Sequence, residues 1–367
     1  MKAGILTFHW AYNYGAVLQT YALQETLIQM GVEATVLDYR PARLMARIGP
    51  LGLRSGRFMH VLPMRWRFHR FRQRHLHLTR RLFRTDDLRE ETRDYDAVIV
   101  GSDQVWNMNI IKGDLNYFLA FADGVRKISY AADFGQSQQV SQIKTDLSRL
   151  LARFDRISAR TNLSKEIVRT LCSKDVDVVL DPTFLYDFSE TTANVETEGP
   201  FILVYSMWAG ADGEVLASVV KDIASKYKLP VCSVSWSRDF PTADYRLRSL
   251  GPAEWLGYFR KAAFICTDSY HGFIFAIKNR KPFAAVCLNK RASRIIELAQ
   301  RYGLHNSVIS SAESARSCSM WTREVDYGRV HSLLNQDVEA SKVFLREALL
   351  ARHEHLTSRP QAEGLRT

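Results

Sequence analysis

The sequence predicts an α/β protein of two Rossmann-like domains facing each other across a cleft. Three observations carry this. Short apolar runs alternate with segments of helical spacing along nearly the whole chain, the pattern of parallel sheets covered by helices on both faces. One polar interval, Ser189–Gly199 ("SETTANVETEG"), interrupts the alternation, and a second alternating series begins directly after it. The 367 residues are too many for one ordinary core and enough for two.

In the first series, Ala3–Phe8 reads as a buried strand and Gly15–Met30 as a helix that stops at Gly31. "EATVLDY", "DYDAVIVGSDQVW", "RKISYAADFG", "DRISAR" and "VDVVLDP" read as strands, with helical spacing at Gln139–Phe154 and Ser164–Cys172. In the second, "PFILVYSM", "PVCSVSW", "AFICT" and "KPFAAVCL" are strands. The helices there are Gly213–Tyr227, Pro252–Ala262, "SYHGFIFAI" and Arg291–Tyr302. The domains are therefore placed at 1–190 and 200–327, followed by a closing helix at 328–356 and a disordered tail at 358–367.

The net charge of +11 comes from one segment. Arg40–Arg84 holds thirteen Arg and no Lys, Asp or Glu, leaving 37 basic against 39 acidic residues elsewhere. An anionic partner would meet this local insertion, and a chain-wide nucleic-acid surface is not expected. Five scattered cysteines without a C-x-x-C pair read as reduced core thiols, not a zinc site. "MKAGILTFHW" lacks the features of a signal peptide, and no apolar run approaches about 18–20 residues. A cytoplasmic protein is expected. No motif specifies an oligomeric state.

Ligands of such sheets bind at the carboxyl ends of strands, and the unusual polar clusters fall there. In "FHWAYNYGAVLQ", Asn13, Tyr14 and Gly15 precede a helix whose free N–H groups suit an anion or sugar oxygens. Phe8, Trp10, Tyr12 and Tyr14 read either as a stacking wall or as core rings with Asn13 a helix cap. Ser102, Asp103 and Gln104 of "GSDQVW" either line the same cleft or cap a turn. In "TDSYHG", His271 stands at a helix start beside Asp268, Ser269 and Tyr270. Arg160, Arg291 and Arg294 are candidate anion forks, although exposed arginines are normally just solvated. "DYD" and "DVD" lead straight into strands and read as turn residues, not metal ligands. The phosphate-loop, dinucleotide and H-E-x-x-H motifs are missing, which weakens NTPase, dehydrogenase and metalloprotease readings.

Taken in order, "GILTFHWAYNYGAVLQTYALQ", "VGSDQVWN", "ISYAADFG", "RISAR", "LDPTFL", "TDSYHGFIFAI" with "KPF", and "RASRI" resemble the polysaccharide pyruvyltransferase family. The resemblance implies a fold similar to the GT-B glycosyltransferase architecture. It also implies phosphoenolpyruvate as donor substrate, a sugar diol as acceptor and a pyruvate ketal as product. The acceptor is expected on a polysaccharide or a polyprenyl-diphosphate-linked precursor, bound on the first-domain side, with the donor on the second. The family's catalytic His falls on His271 and a donor-associated Arg on Arg160. Ser269, Arg291 and Arg294 are expected with the donor, and Trp10, Asn13, Tyr14, Gly15, Ser102, Asp103 and Gln104 with the acceptor or cleft. No metal or organic cofactor is expected. Two positions depart from the family pattern: Thr161 replaces an acidic residue and Asp133 a serine.

Phosphoenolpyruvate calls for arginine forks and helix N-termini. Its conversion needs a proton donor for the methylene carbon, for which histidine is suited. Two alternatives stay open: a nucleotide-sugar glycosyltransferase of similar fold, and a non-enzymatic RNA- or membrane-binding protein using the Arg segment. Within that segment "MRWRFHRFRQRHLHL" interleaves rings with basic residues, either as a peripheral anchor on the anionic inner face of a membrane or as a helix packed on the first domain.

Overall fold

The computed structural model describes residues 1–45, 58–135, 144–207, 211–235, 239–288, 293–311 and 324–350. The first sheet contains β1 (Lys2–Leu6), β2 (Glu33–Val36), β3 (Ala97–Asp103), β4 (Arg126–Ala132), β5 (Arg156–Ala159) and β6 (Asp177–Val178), in the order β2-β1-β3-β4-β5-β6. The second contains β7 (Ile202–Tyr205), β8 (Val231–Val234), β9 (Tyr245–Leu247), β10 (Phe264–Thr267), β11 (Phe283–Val286) and β12 (Val308–Ile309), in the order β12-β11-β10-β7-β8-β9. All pairings are parallel.

The helices of the first half are α1 (Tyr14–Gln29), α2 (Ala42–Met45), α3 (Phe58–His75), α4 (Thr85–Glu91), α5 (Met108–Ile111), α6 (Lys144–Ala152) and α7 (Asn162–Cys172). Those of the second are α8 (Ala211–Tyr227), α9 (Pro252–Lys261), α10 (Tyr270–Lys278), α11 (Ser293–Tyr302) and α12 (Tyr327–Leu350).

The central strands are unbroken apolar runs because both faces are covered: β7 and β10 are buried at every residue. The short edge strands β9 and β12 escape the sequence reading because they have no such run. β9 ("YRL") is mostly exposed, and β12 has only two residues. The closing helix runs from Tyr327 to Leu350; residues 351–367, including the expected disordered tail, lie outside the described residues. Val330 and Leu334 of α12 pack in the second domain's core, and Phe344, Leu345, Ala348 and Leu349 pack on the first sheet. The helix thus crosses from one domain to the other.

A single apolar cluster joins the domains. Tyr14, Val17, Leu18 and Tyr21 of α1 meet Trp255 and Phe259 of α9 within it. The Tyr14 ring lies parallel to the Trp255 ring at 5.4 Å, and its hydroxyl donates to the Leu250 carbonyl at 3.1 Å. The Arg-rich insertion contributes to the same core through α3, whose Met64, Phe68 and Phe71 are buried. Phe68 packs 5.1 Å from Tyr14, while Arg67 donates to the Ser249 carbonyl at 2.6 Å. The insertion is therefore in part an interdomain strut, because its aromatic face is covered by both domains.

Phe68→Ala would leave a cavity at this junction. It should lower the unfolding free energy by about 3–5 kcal/mol, read from denaturant unfolding; a loss below about 1 kcal/mol would mean that α3 is not part of the common core.

Candidate active site

In each sheet the chain reverses its winding direction once, between β1 and β3 in the first and between β7 and β10 in the second. The carboxyl ends of strands at such a switch point leave an open crevice, and here the two crevices face each other. The shared cavity has a volume of about 500 Å³. Asn13 reaches it after β1, Asp103 and Gln104 from the end of β3, Asp133 from β4, and Thr161 from β5. From the other domain come Met207, Asp212, Asp268 to His271, and Ser293 to Ile295.

Among the helices whose N-termini border this space are α1, α10 and α11. Asn13 caps α1, accepting from the Ala16 N–H at 3.1 Å, and Ser269 caps α10, accepting from the Gly272 N–H at 3.5 Å. Both caps satisfy only part of the free N–H set, so positive potential from both domains converges on one cavity.

His271 is the second residue of α10, and its ring crosses to the first domain. A Cβ at residue 15 would lie 2.0 Å from its Nδ1, so only glycine at 15 leaves room for the imidazole. Nε2 stands 3.7 Å from Asp181 Oδ2, an ion-pair distance too long for a hydrogen bond. It is buried with no hydrogen-bond partner among the described residues.

Asp181 also belongs to a second cluster. The fully buried Arg160 donates to Asp181 at 3.0 Å, to Asp133 at 3.0 and 3.3 Å, and to Asp103 at 3.2 Å. Burial alone would raise the Asp133 and Asp181 pKa values. The Arg160 and Arg294 guanidiniums outweigh it at Asp133, and His271, Arg160 and Thr183 outweigh it at Asp181, so both carboxyls lie below the usual range. Arg294 stands 3.7 Å from Asp133 and keeps its side chain 16% exposed toward the cavity. Turned so that its oxygen faces Arg294, the Gln104 amide accepts from both Nη atoms at 3.1 Å. The guanidiniums of Arg160 and Arg294 lie 4.8 and 4.9 Å from the Tyr270 ring centre. Asp268, by contrast, is raised by burial despite bonds from Met207 N–H and the Ser206 hydroxyl.

This arrangement can be set beside known proteins. The family model "Polysaccharide pyruvyl transferase" matches residues 13–286. The chain belongs to the polysaccharide pyruvyl transferase family. No curated protein matches the sequence. Among solved structures, a UDP-N-acetylglucosamine 2-epimerase is similar with a TM-score of 0.58 at 14% identity, covering 95% of each chain. The UDP-GlcNAc 2-epimerase of Neisseria meningitidis, bound to UDP-GlcNAc, gives 0.53 at 12%, covering 96% of this chain and 100% of that one. Arabidopsis thaliana UGT89C1, complexed with quercetin, gives 0.53 at 12%, covering 95% and 98%. These likenesses establish a fold of the GT-B type.

Of the family residues expected at the site, Asn13, Asp103, Gln104, Ser269, His271 and Arg294 line the cavity. Arg291 lies outside the described residues. Five of the expected residues need correction. Trp10 is a core ring against Phe8, and Tyr14 is a buried interdomain ring, so neither walls the cleft. Ser102 is fully buried, its hydroxyl donating to the Ala131 carbonyl at 3.1 Å and to Asp181 at 3.3 Å. Gly15 acts by lacking a side chain, not by touching a ligand. Arg160 does not reach the cavity, because three carboxylates surround its guanidinium. Asp181 went unrecognised as a site residue, although the "LDP" at the end of a strand was its signal.

The folded-state depression of Asp181 has a definite pH consequence. The stability it contributes is complete above the ordinary carboxyl pKa of about 3.9 and is lost as pH falls through its lower folded value. Asp181→Asn should cost about 3–5 kcal/mol at pH 7 and flatten the acid limb of a stability–pH profile. An unaltered acid limb would remove Asp181 from the electrostatic core.

Proposed function

We propose that the chain transfers the enolpyruvyl group of phosphoenolpyruvate onto two hydroxyls of a sugar, on a polysaccharide or its lipid-linked precursor, giving a pyruvate ketal and phosphate. The observation that carries this reading is His271: an imidazole whose buried Nε2 has no hydrogen-bond partner among the described residues and stands beside a carboxylate, in a cavity that both domains build. The family membership supports the reaction class. The helix N-termini and Arg294 suit an anionic donor, and about 500 Å³ falls within the range of small-molecule sites.

In this reading the His271 imidazolium, stabilised by Asp181, gives its proton to the methylene carbon of the donor and leaves C2 electrophilic. One sugar hydroxyl attacks C2, and the neutral imidazole takes that hydroxyl's proton, restoring itself. The C2–O bond to phosphate breaks with its electron pair on the phosphate. The second hydroxyl closes the ketal, and its proton leaves with the phosphate. One diol proton thus replaces the one used on the methyl group, and the other ends on phosphate. Asp133, Asp103 and Arg160 act indirectly here, by fixing Asp181 and the strand ends around it.

The deciding experiment measures phosphate release from phosphoenolpyruvate across a panel of lipid-linked sugars, with the ketal identified by mass spectrometry. Phosphoenolpyruvate at about 100 times its Kd should also stabilise the protein by about 2.7 kcal/mol. Stabilisation by a sugar nucleotide, with no response to phosphoenolpyruvate, would transfer the chain to the glycosyltransferase reading.

Two variants test His271 from opposite sides. His271→Gln removes the proton carrier and should lower turnover at least ~10²–10⁴-fold. Gly15→Ala leaves the histidine in place but puts a methyl where its ring sits, and should cost about 10²-fold or more through misplacement. Near wild-type turnover by either folded variant would exclude the seated imidazole as the acid–base group.

Arg294→Ala should weaken phosphoenolpyruvate binding by roughly tenfold or more, the value of a charge-assisted bond of about 1.5–3 kcal/mol. An unchanged Kd would strike Arg294 from the donor site.

A further inference from the structure

Helix α3 has two faces with different fates. Val61, Met64, Phe68 and Phe71 are buried. Arg72 follows them inward, its guanidinium 5.2 Å from the Tyr12 ring centre, while the half-buried Arg67 is held at the interdomain edge by Glu254 at 3.5 Å. On the outer face Met59, Leu62 and Trp66 are 66%, 56% and 57% exposed. Their spacing of three and four residues puts them in one stripe. Arg70, whose guanidinium lies 5.2 Å from the Trp66 ring centre, and Arg74 continue that stripe, and both are exposed.

Single exposed apolar residues are ordinary. Three in succession on a helix that is already anchored by its other face are not explained by packing. The charge around them is one-sided: Arg40–Arg84 contains no Asp or Glu. Among the described residues no helix is long and apolar enough to cross a membrane, so any lipid contact by a helix would be at the surface.

We propose that this outer face of α3 docks the protein on an anionic lipid surface, with Met59, Leu62 and Trp66 entering the interface and Arg70 and Arg74 meeting lipid phosphates. The chemistry is that of an interfacial amphipathic helix: apolar side chains to enter the headgroup layer and basic ones beside them to meet its charge. Nucleic acid satisfies the arginines but gives Met59 and Leu62 nothing to bury against, so lipid is the better match. The proposal does not depend on the pyruvyl-transfer reading, since its readout is vesicle binding.

The test is co-sedimentation of the full chain with phosphatidylglycerol–phosphatidylcholine vesicles and with phosphatidylcholine vesicles alone. Wild type should bind the first at low salt, release at high salt where the Debye length shrinks to about 3 Å, and ignore the second. Arg70→Gln with Arg74→Gln should weaken binding about 25-fold, each basic residue contributing about fivefold. Trp66→Ala should weaken it about tenfold or more. Both variants should keep the wild-type melting temperature, since none of the three side chains is buried. Arg67→Gln, at a position whose guanidinium is already held by the Ser249 carbonyl and Glu254, should bind vesicles like wild type. The proposal is overturned if wild type ignores anionic vesicles at low salt. Equal losses from Arg67→Gln and Arg70→Gln overturn it too, since net charge and not this face would then be responsible. So does retention on single-stranded RNA through the same arginines without vesicle binding.

Discussion

The site depends on one contact, the seating of His271 against Gly15. The two residues lie in different domains, so the position of the imidazole is set by how the domains meet. That meeting is a packed apolar interface, with Tyr14 parallel to Trp255 and Phe68 behind it. Tyr14 and Gly15 are consecutive, which puts a stacked interdomain ring contact one residue from the space reserved for the histidine. A close-packed core does not deform continuously, and a shift of the domains by even one ångström would change the distance from Nε2 to Asp181. Gly15 is thus needed for close approach; its backbone has no positive φ to account for it.

The second constraint is electrostatic. Asp103, Asp133 and Asp181 around Arg160 and Arg294 leave one unit of negative charge, which an imidazolium at 271 would balance. Buried ion clusters contribute little net stability but are costly to break; their value here is to hold the ends of β3, β4 and β5 in one arrangement. The two departures from the family pattern belong to this cluster. Asp133 bonds Arg160, its other oxygen accepts from the Ser164 hydroxyl at 3.0 Å, and Ser164 in turn accepts from the Thr161 hydroxyl at 3.0 Å. Positions 161 and 133 are therefore linked through a single serine, and Asp133 supplies Arg160 with one of its acidic partners.

Much of this was legible in the sequence, for a physical reason. Parallel strands buried on both faces are continuous apolar runs, so their ends, and the polar residues at those ends, are visible without a structure. Asn13, Asp103, Gln104, Ser269 and His271 stand out in that way and line the cavity, whereas Arg294, in a helix, is marked only by its place in "RASRI". The failures share a different cause. Whether a ring or a guanidinium at a strand end faces a cleft or a core depends on the opposite domain, and no local pattern encodes that. Trp10 and Tyr14 are aromatic because they fill a junction, and Arg160 is basic because three carboxylates converge on it. The edge strands β9 and β12 lack an apolar run and left no signal at all.

The same limit explains why the sequence leaves α3 open between a peripheral anchor and a helix packed on the first domain. Its arginines are alike in sequence and unlike in space: Arg67 and Arg72 are bound to backbone carbonyls of opposite domains, while Arg70 and Arg74 are exposed. A helix of 18 residues is about 27 Å long, enough to carry an inner stripe that fastens the domains and an outer stripe free for a partner. The two stripes are mechanically joined. Phe68 on the inner side touches Tyr14, and Tyr14 follows Asn13, which lines the cavity. A surface that held the outer stripe would therefore hold a rigid element two contacts from the interdomain cavity. An acceptor tethered to the same surface by a lipid would then be presented to a cleft of fixed orientation, replacing a search in three dimensions by one in two.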